Sequence, residues 1–329
     1  MHTCTPKLIV ILGPTASGKT ELSLQLARKF SGYIISADSR QIYKGMDIGT
    51  GKLLGGILKK DKIFGRILYF RDIPHFMIDI AAPDQEYSVA QYQKDVKRII
   101  QKNDTLIPFL VGGTGLYISA IVDGLSFPHI PADEKLRLKL EKQSAEILFK
   151  KLKKLDPICS QKIDQHNKRR LIRALEVCLK TGKPFSKFQK KQKPKFDILQ
   201  IGIKIDKTTL FKRIDKRVDE MIKRGLVEEV KTVLPLARGG WRGLKNNRNL
   251  PPPLTPPRAG GVIHDSLGYK QILQYLRDEI TLPEAVELIK LRTRQYAKHQ
   301  LTWFCRDKRI HWVKNKKQAE KLVREFLGR

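Results

Sequence analysis

A glycine-rich loop near the start of the chain has the residue types and the spacing that hold a phosphate group. In GPTASGKT, the residues Gly13, Gly18, Lys19 and Thr20 match GxxxxGK[ST], after an apolar run and before a helical stretch. Backbone N–H groups and the helix N-terminus face phosphate oxygens in such a loop, the lysine adds a point charge, and the hydroxyl can ligate Mg²⁺. The predicted phosphate-binding residues are Gly13, Pro14, Thr15, Ala16, Ser17, Gly18, Lys19 and Thr20. The pattern leaves open whether the phosphate itself reacts.

Asp38, at the end of the apolar run YIISAD, is the next candidate. In nucleotide-kinase-like folds the end of a neighbouring parallel strand faces the phosphate loop across the ligand crevice. A carboxylate there could take a proton from an attacking group as the new bond forms. The alternative is a structural role, in which Asp38 caps the turn at residues 39–42.

The run LIPFLVGGTG has a glycine turn where an acidic residue would matter. P-loop enzymes that hydrolyse nucleotides end such a strand in an acidic residue for Mg²⁺, and here it ends in Gly112 and Gly113. This argues against an ATPase. Thr114 follows, and either caps a helix or contributes to the site.

The elements that position these residues alternate along the first part of the chain. Short apolar runs and helical periodicity take turns, which predicts an α/β fold with a doubly wound parallel sheet. Ser88 is the expected N-cap of one helix. Strands are predicted at residues 7–12, 33–38, 75–80 and 106–113, and helices at residues 20–30 and 88–102.

From about residue 132 the pattern becomes helical and rich in lysine, and strand character returns at 197–205. Helices are then expected to run to the C-terminus, one of them capped by Thr208 or Thr209 and ended by Gly225. The predicted domains are a P-loop NTPase-like α/β core at 1–131, an inserted all-helical domain at 132–196, and a return to the core with a helical C-terminal part at 197–329.

Residues 235–261 differ in composition from the rest, because they combine many prolines and glycines without periodicity. We predict a low-complexity loop. A tolerated insertion is favoured here over a contact with nucleic acid.

The charge of the chain indicates a polyanionic partner. Lys and Arg number 65 against 33 Asp and Glu, a formal net charge of +32. Basic side chains set against phosphates release condensed counterions, so nucleic acid is favoured over a membrane surface or a solvated basic face.

The stretch HNKRRLIRALEVCLK separates into two faces at 100° per residue, which is typical of a helix that follows a phosphate backbone. A solvated basic face is the alternative. The basic face comprises His166, Arg169, Arg170 and Arg173, and the opposite, apolar face comprises Leu171, Ile172, Leu175 and Leu179. A similar basic stripe near the C-terminus comprises Lys290, Arg294 and Lys298.

The cysteines are scattered at Cys4, Cys159, Cys178 and Cys305, without a CxxC pair. This argues against a disulfide scaffold or a zinc site and favours a reducing cytoplasm. No apolar run is long enough to cross a bilayer, and the N-terminus does not fit a signal peptide. We expect a cytoplasmic monomer that does not bind membranes.

Three hypotheses fit parts of these observations. A small-molecule P-loop kinase explains the loop and leaves the charge and the helical insertion unused. A nucleic-acid-modifying transferase with a phosphorylated donor uses both. A nucleic-acid-binding ATPase lacks the acidic strand end.

Eight blocks, in this order, resemble the bacterial tRNA dimethylallyltransferases, the isopentenyl-tRNA transferase (IPP transferase) family. They are GPTASGKT, DSRQIYKGMDIGTGK, PHFMIDI, YSVAQY, VGGTGLY, HNKRRLIRALEV, SLGYKQI and TRQYAKHQLTWF. The resemblance implies transfer of dimethylallyl from its diphosphate to N6 of adenosine 37, with Mg²⁺ as cofactor. The acceptor would be the anticodon stem-loop of tRNAs that read codons beginning with U, and the products N6-dimethylallyladenosine and diphosphate.

The resemblance also implies roles for residues. The catalytic residues would be Asp38, Thr20, Lys19 and Arg217, with Thr20 as the Mg²⁺ ligand. Residues around Gly268–Gln271 would lie near the substrate. The residues implied in tRNA binding are Asp38, Ser39, Arg40, Gln41, Thr114, Arg137, Arg169, Arg170, Leu171, Ile172 and Arg173.

The chain departs from the family pattern at three places. His75-Phe76 stands where the family has two adjacent histidines, residues 53–71 before it are longer than expected, and the proline-rich segment replaces a short loop. The cysteines of the zinc finger found in eukaryotic members have no counterpart here.

Overall fold

The computed structural model describes residues 5–61, 64–128, 130–188, 196–234 and 261–328. The chain divides into two compact units, Met1–Ile118 with Lys195–Arg329, and Ser119–Pro194. The predicted low-complexity loop lies outside the described residues, apart from Gly261 at its end.

The first unit is built on one sheet, which has eight strands within the described residues. The strands are β1 (Lys7–Leu12), β2 (Gly32–Ala37), β3 (Ile57–Asp61), β4 (Gly65–Phe70), β5 (Ile73–Phe76), β6 (Ile107–Gly112), β7 (Asp197–Ile203) and β8 (Ile310–Val313). They lie in the order β3-β4-β5-β2-β6-β1-β7-β8. The pairs from β5 to β8 are parallel, and β3–β4 and β4–β5 are antiparallel. The predicted α/β class with a P-loop core and a mainly parallel sheet is confirmed.

The helices connect and cover these strands. They are α1 (Lys19–Lys29), α2 (Val89–Lys102), α3 (Gly115–Val122), α4 (Glu134–Glu141), α5 (Ala145–Leu155), α6 (Pro157–Ser160), α7 (Lys168–Thr181), α8 (Lys207–Lys223), α9 (Leu226–Val233), α10 (Gly261–Asp265), α11 (Tyr269–Leu276), α12 (Leu282–Phe304) and α13 (Lys316–Leu327). The predicted cap of α2 is present, since Ser88 and Gln91 form a capping box.

The core lies on both sides of the central strands. All residues of β1 from Leu8 to Leu12 are fully buried, as expected for a parallel strand covered on two faces. On one side, Leu26 of α1 and Val323 of α13 pack in the same cluster as Ile9 and Ile11. A second cluster joins α8, α9, α11 and α12 through Val218, Val230, Ile272 and Ile289.

Two strands and one hairpin differ from the sequence-based predictions. The C-terminal part is not all helical, because β8 pairs with β7 before α13 begins. The run predicted as a strand at 75–80 ends at Phe76, since Met77 and Asp79 have φ values of 64° and 55°, which no strand accommodates. The extra length at 53–71 forms the hairpin of β3 and β4.

The start of α8 also differs. Its N-cap is Asp206, whose side chain accepts a hydrogen bond from the Thr209 N–H, so neither Thr208 nor Thr209 caps it. Asp206 is the cap because its carboxylate oxygen reaches the N–H of Thr209, the third residue of the helix. The predicted end is confirmed, since Gly225, with φ 94°, follows the C-cap Arg224, and its N–H donates to the Ile222 carbonyl oxygen; Gly225 is also the N-cap of α9.

The second unit contains α4 to α7. Their core includes Leu140, Leu148, Leu152, Leu171 and Leu175. Asn167 caps the start of α7, and Gly182, with φ 64°, follows its end.

The apolar face predicted for α7 needs one correction. Leu171, Ile172 and Leu175 are buried, whereas Leu179 is 52% exposed. The helical period is therefore right, but the packing partners stop before the last turn.

No helix in the described ranges is long and apolar enough to span a membrane.

Leu171→Ala and Leu179→Ala form a matched pair on this helix. We expect Leu171→Ala to lower the opening free energy of α7 by about 2–5 kcal/mol, because it leaves a cavity, and Leu179→Ala by less than about 0.5 kcal/mol. Hydrogen exchange of the α7 amides measures both. Similar losses for the two variants would contradict the packing described here.

Candidate active site

The phosphate loop runs from β1 into the first turn of α1. Ala16 and Gly18 adopt left-handed conformations, with φ values of 61° and 95°. Gly18 is the N-cap of α1 and provides no side-chain hydrogen bond to the first turn. The first N–H groups of α1 therefore remain available to an anion.

Lys19 and Arg217 are both half-buried, and their positive charges act on each other and on Asp38. Lys19 Nζ donates a hydrogen bond to the Pro14 carbonyl oxygen at 2.6 Å. Burial, together with the charge of Arg217 and against the effect of Asp38, lowers the pKa of Lys19 to about 7. Burial also lowers the pKa of Arg217, and Asp38 opposes it. One carboxylate faces two cations, so the site has an excess of positive charge and favours an anion.

The helix α8 supplies a further arginine that the sequence did not single out. Arg213 lies one turn before Arg217, and its Nη1 is 3.9 Å from the position that a Cβ on Gly18 would take. Two arginines with i, i+4 spacing on a helix after β7 are the signal that could have identified it.

Asp38 follows β2, and β6 lies between β2 and β1. Two strand spacings, about 10 Å, therefore separate the start of the Asp38 turn from the start of the phosphate loop. Asp38 Oδ1 accepts a hydrogen bond from the Arg40 N–H at 2.9 Å, so the turn-capping role is present. Its charge also acts on Lys19 and Arg217, so the catalytic role stays open.

The other residues implied in binding the target base surround Asp38. Thr114 Oγ1 accepts a hydrogen bond from the Ser39 N–H at 3.1 Å and so joins the ends of β2 and β6. Gln41 accepts from Ser36 Oγ at 3.0 Å. The structure thus gathers Asp38, Ser39, Gln41 and Thr114 at one edge of the sheet.

Gln300 on α12 was not predicted from the sequence, although its side chain connects the phosphate loop to the turn after β6. Its Oε1 accepts from the Thr15 N–H and its Nε2 donates to the Gly113 carbonyl oxygen, both at 2.8 Å. A Cβ on Gly113 would lie 2.2 Å from Nε2, so the glycine is required for this contact. A glutamine within the buried stripe of Ala297 and Phe304 is the signal that could have identified it.

Tyr296, one turn before Gln300, was also missed. Its side chain is 42% exposed, and desolvation together with the negative charge of Asp38 raises the pKa of Tyr296 to about 12. Its neutral hydroxyl therefore stays available for hydrogen bonding beside Asp38.

The loop after Met46 positions Arg217. Arg217 Nη2 donates to the Thr50 carbonyl oxygen at 3.3 Å, and a Cβ on Gly51 would lie 1.9 Å from that nitrogen. Gln41 Nε2 donates to the carbonyl oxygens of Thr50 and Gly51, each at 3.4 Å. One short loop therefore orients both Arg217 and Gln41.

Glu229 on α9 fixes this loop. Its carboxylate accepts hydrogen bonds from the N–H groups of Asp47, Ile48 and Gly49, at 2.9, 2.6 and 2.9 Å. It also accepts one from the Tyr269 hydroxyl at 2.5 Å, and that residue lies in the SLGYKQ block. No local pattern in GLVEEV distinguishes Glu229 from its exposed neighbour.

The arginines implied in tRNA binding fall into two groups in the helical unit. Arg169 and Arg170 are exposed in the first turn of α7. Arg137 is bound through two nitrogens to Glu176, at 2.6 and 2.7 Å, and Arg173 donates to the same carboxylate at 2.6 Å. Burial favours a protonated Glu176, but its bonds to Arg137, Asp133 and Arg173 lower the pKa to about 2.

Two members of the implied tRNA-binding set need correction. The side chains of Leu171 and Ile172 are 0% and 1% exposed, because they form the core of the helical unit. They therefore do not reach a ligand. The C-terminal basic stripe also has protein partners, since Lys290 pairs with Asp219 and Arg294 with Asp215.

The residues available to a metal ion are few. Among the described residues, no group of three or more His, Cys, Asp or Glu could hold one. Thr20 is exposed in the first turn of α1. A single hydroxyl next to a phosphate site suits Mg²⁺, which keeps most of its waters and binds through one or two protein groups plus the substrate's phosphates.

Anion binding is expected to add a proton to Lys19. Because the pKa of Lys19 is lowered to about 7 in the free protein, most of this side chain is neutral at pH 8, and a bound pyrophosphate raises its pKa again. Calorimetric titration with pyrophosphate in buffers of different ionisation enthalpy should show proton uptake at pH 8. The control is Lys19→Arg, which stays charged. Equal uptake by both proteins would rule out this linkage.

Glu229→Gln should weaken pyrophosphate binding about tenfold (~1.4 kcal/mol), because an amide cannot accept all four hydrogen bonds and the loop that orients Arg217 loosens. The matched control is Glu228→Gln, since Glu228 is exposed and pairs only with Lys231 among the described residues. Calorimetry measures both affinities, and thermal melting checks that the variants are folded. Unchanged affinity in a folded Glu229→Gln protein would show that this loop does not act on Arg217.

The comparisons with known proteins agree with this geometry. The model of the family described as IPP transferase matches residues 41–308, and that described as isopentenyl transferase matches residues 6–68. A protein from Carboxydothermus hydrogenoformans called tRNA dimethylallyltransferase is 42% identical, with 98% of this chain and 96% of that protein covered. One of the same name from Halothermothrix orenii is 43% identical, with 97% and 93% covered.

Solved structures are similar over the same length. The full-length tRNA isopentenylpyrophosphate transferase from Bacillus halodurans has a TM-score of 0.63 and 33% identity, with 98% of this chain and 95% of that one covered. A eukaryotic dimethylallyltransferase captured acting on tRNA has a TM-score of 0.69 and 28% identity, with 97% and 77% covered. With a family model matching most of its length and relatives above 40% identity along nearly all of it, this chain belongs to the IPP transferase family.

Proposed function

We propose that this protein transfers the dimethylallyl group of dimethylallyl diphosphate to N6 of adenosine 37 in tRNA. The observation that carries the proposal is the arrangement of Lys19 and Arg217 as two half-buried cations with Asp38 across the sheet edge. The names of the relatives, and the eukaryotic structural neighbour that acts on tRNA, support the choice of substrates.

In the reaction, adenine N6 attacks the first carbon of the allyl chain. The bond between that carbon and the diphosphate oxygen breaks, and its electron pair leaves with diphosphate. Lys19, Arg217 and the N–H groups at the start of α1 stabilise the charge that grows on the leaving group. Asp38 accepts the proton from N6, which makes a poor nucleophile effective.

Mg²⁺ is part of the proposal as a cofactor. Bound to the diphosphate, it would neutralise charge on the leaving group. Thr20 is the residue that would hold it, since its hydroxyl sits exposed in the first turn of α1.

The helical unit supports the choice of RNA as acceptor. The first turn of α7 contains Lys168, Arg169 and Arg170 and no acidic residue. Cations at a helix N-terminus oppose the helix dipole, so a nearby phosphate would relieve an unfavourable arrangement. We propose that Arg169, Arg170 and Arg173 contact the tRNA backbone. Arg137 acts through Glu176, to which both it and Arg173 are bound.

The small-molecule kinase is not favoured. A kinase transfers phosphate to a small acceptor and has no use for a basic helical unit, and the relatives of known name are tRNA transferases. The strand end at Gly112 and Gly113 offers no carboxylate for a nucleotide-bound metal.

The test is a transfer assay with the wild-type protein and with a variant that lacks only the proton-accepting carboxylate. The protein is incubated with labelled dimethylallyl diphosphate, Mg²⁺ and an anticodon stem-loop bearing A36-A37-A38. We expect the label at N6 of A37. Asp38→Asn should lower kcat about 10²–10⁴-fold and leave stem-loop affinity nearly unchanged, because the amide keeps the shape without accepting the proton.

Two outcomes would contradict the proposal. Absence of label at N6, together with ATP turnover on a small acceptor, would favour the kinase. Full activity in Asp38→Asn would remove Asp38 as the base and return it to the turn-capping role.

A further inference from the structure

The hairpin of β3 and β4 forms one edge of the sheet and has no role in the reaction above. It accounts for the extra length at 53–71. Residues Ile57, Leu58, Lys59 and Lys60 of β3 are all exposed. An exposed edge strand offers unpaired backbone groups and exposed side chains to a partner.

The register brings the end of this hairpin to the level of the active site. His75 of β5 lies opposite both Ile34 of β2 and Leu68 of β4. From that level β2 runs on to Ala37, next to Asp38, and the antiparallel β4 reaches back over the same number of residues to Gly65. Gly65 and Ala37 are therefore level along the strands.

The distance across the sheet is short. Between β2 and β4 lies only β5, and β3 is one strand further out. At the usual strand spacing, β4 is about 10 Å and β3 about 14 Å from β2. The hairpin end thus stands at the same edge as Asp38, within the reach of the nucleotides next to a base bound there.

Two like charges face each other on the hairpin. Lys60 of β3 lies directly opposite Arg66 of β4. Directly opposite residues project from the same face of an antiparallel pair, where like charges are destabilising. Both residues are exposed, and within the part of the chain that the structure describes neither forms an ion pair. An anion between them would remove the repulsion.

We propose that Lys60 and Arg66 bind backbone phosphates of the RNA strand beside the target nucleotide. This rests on the proposed function, which brings an anticodon stem-loop to Asp38. The ligand is a polyanion at this edge of the sheet, and two cations on paired strands hold its backbone without reading its sequence.

A second copy of the chain is the other candidate occupant, because Ile57 and Leu58 are 65% and 46% exposed. Antiparallel pairing of two β3 strands would set Lys59 and Lys60 of one copy close to the same lysines of the other. Such a contact concentrates positive charge and is disfavoured. RNA, with the opposite charge, fits this edge better.

The test compares Lys60→Gln/Arg66→Gln with a control of equal charge change, Lys317→Gln/Lys321→Gln on α13. That helix packs against β7 and β8, at the other end of the strand order. Binding of a fluorescent anticodon stem-loop is measured by anisotropy over a range of salt. Transfer to the same stem-loop is measured in parallel.

We expect the hairpin variant to bind several-fold more weakly than wild type and to lose about 1–2 units of the slope of log K against log salt, roughly 0.7–0.9 for each phosphate contact. Its KM for the stem-loop should rise, while kcat at saturating RNA and KM for the donor stay unchanged. The control should match wild type in all five quantities.

Equal affinity and slope in the two variants would overturn the proposal. So would a hairpin variant that alters the oligomeric state in sedimentation while RNA binding stays the same, since the hairpin would then contact a second copy. A wild-type protein that binds the stem-loop but transfers no label would overturn the proposed reaction alone, because the binding comparison does not depend on it.

Discussion

The partial burial of Lys19 and Arg217 close to each other, with Asp38 as the nearby carboxylate, is the constraint around which the site is built. Removing a charge from water without full compensation is costly, so each of these side chains must be held against its tendency to reach solvent. The phosphate loop holds the lysine through the Pro14 carbonyl oxygen, and the loop at Thr50 holds the arginine. That second loop would not keep its shape without the carboxylate of Glu229 beneath three consecutive N–H groups. The fold therefore maintains an unfavourable charge arrangement that a bound anion would relieve.

The close approach of β2 and β6 depends on Gly112 and Gly113 at the end of β6, which have no side chains. A Cβ on Gly112 would lie 2.2 Å from the Ala37 carbonyl oxygen, and one on Gly113 would meet Gln300. The two glycines thus let β2 and β6 lie close together while an amide bridges to the phosphate loop. The absence of an acidic residue here, which first argued against hydrolysis, also has a steric reason.

What the sequence predicted depended on how local each feature is. The strand before the glycine-rich loop, the helix after it and the N-cap at Ser88 involve neighbours in the chain, and these predictions are confirmed. Gln300 and Glu229 act on residues 285 and about 180 positions away, so periodicity could at most mark Gln300 as a buried polar residue and could not reveal the partners of either side chain. The helical period assigned Leu179 to the same apolar face as Leu171. Whether a neighbouring helix covers the last turn of α7 is decided by tertiary packing. The strand β8 was missed for the same reason, since a four-residue run gains its partner only from β7.

The bridge from Gln300 to Thr15 also sets the order in which the protein acquires its binding site as it is made. The strands β1, β2 and β6 leave the ribosome early, and N-terminal segments begin to fold first. The N–H of Thr15 nevertheless has to wait for a side chain 285 residues later, and α12 is followed by only one strand and one helix. An incomplete chain therefore has the glycine-rich sequence without the fixed loop. The fixed loop therefore arises only once α12 has been made, when the helical unit, which precedes α12 in the chain, is already present.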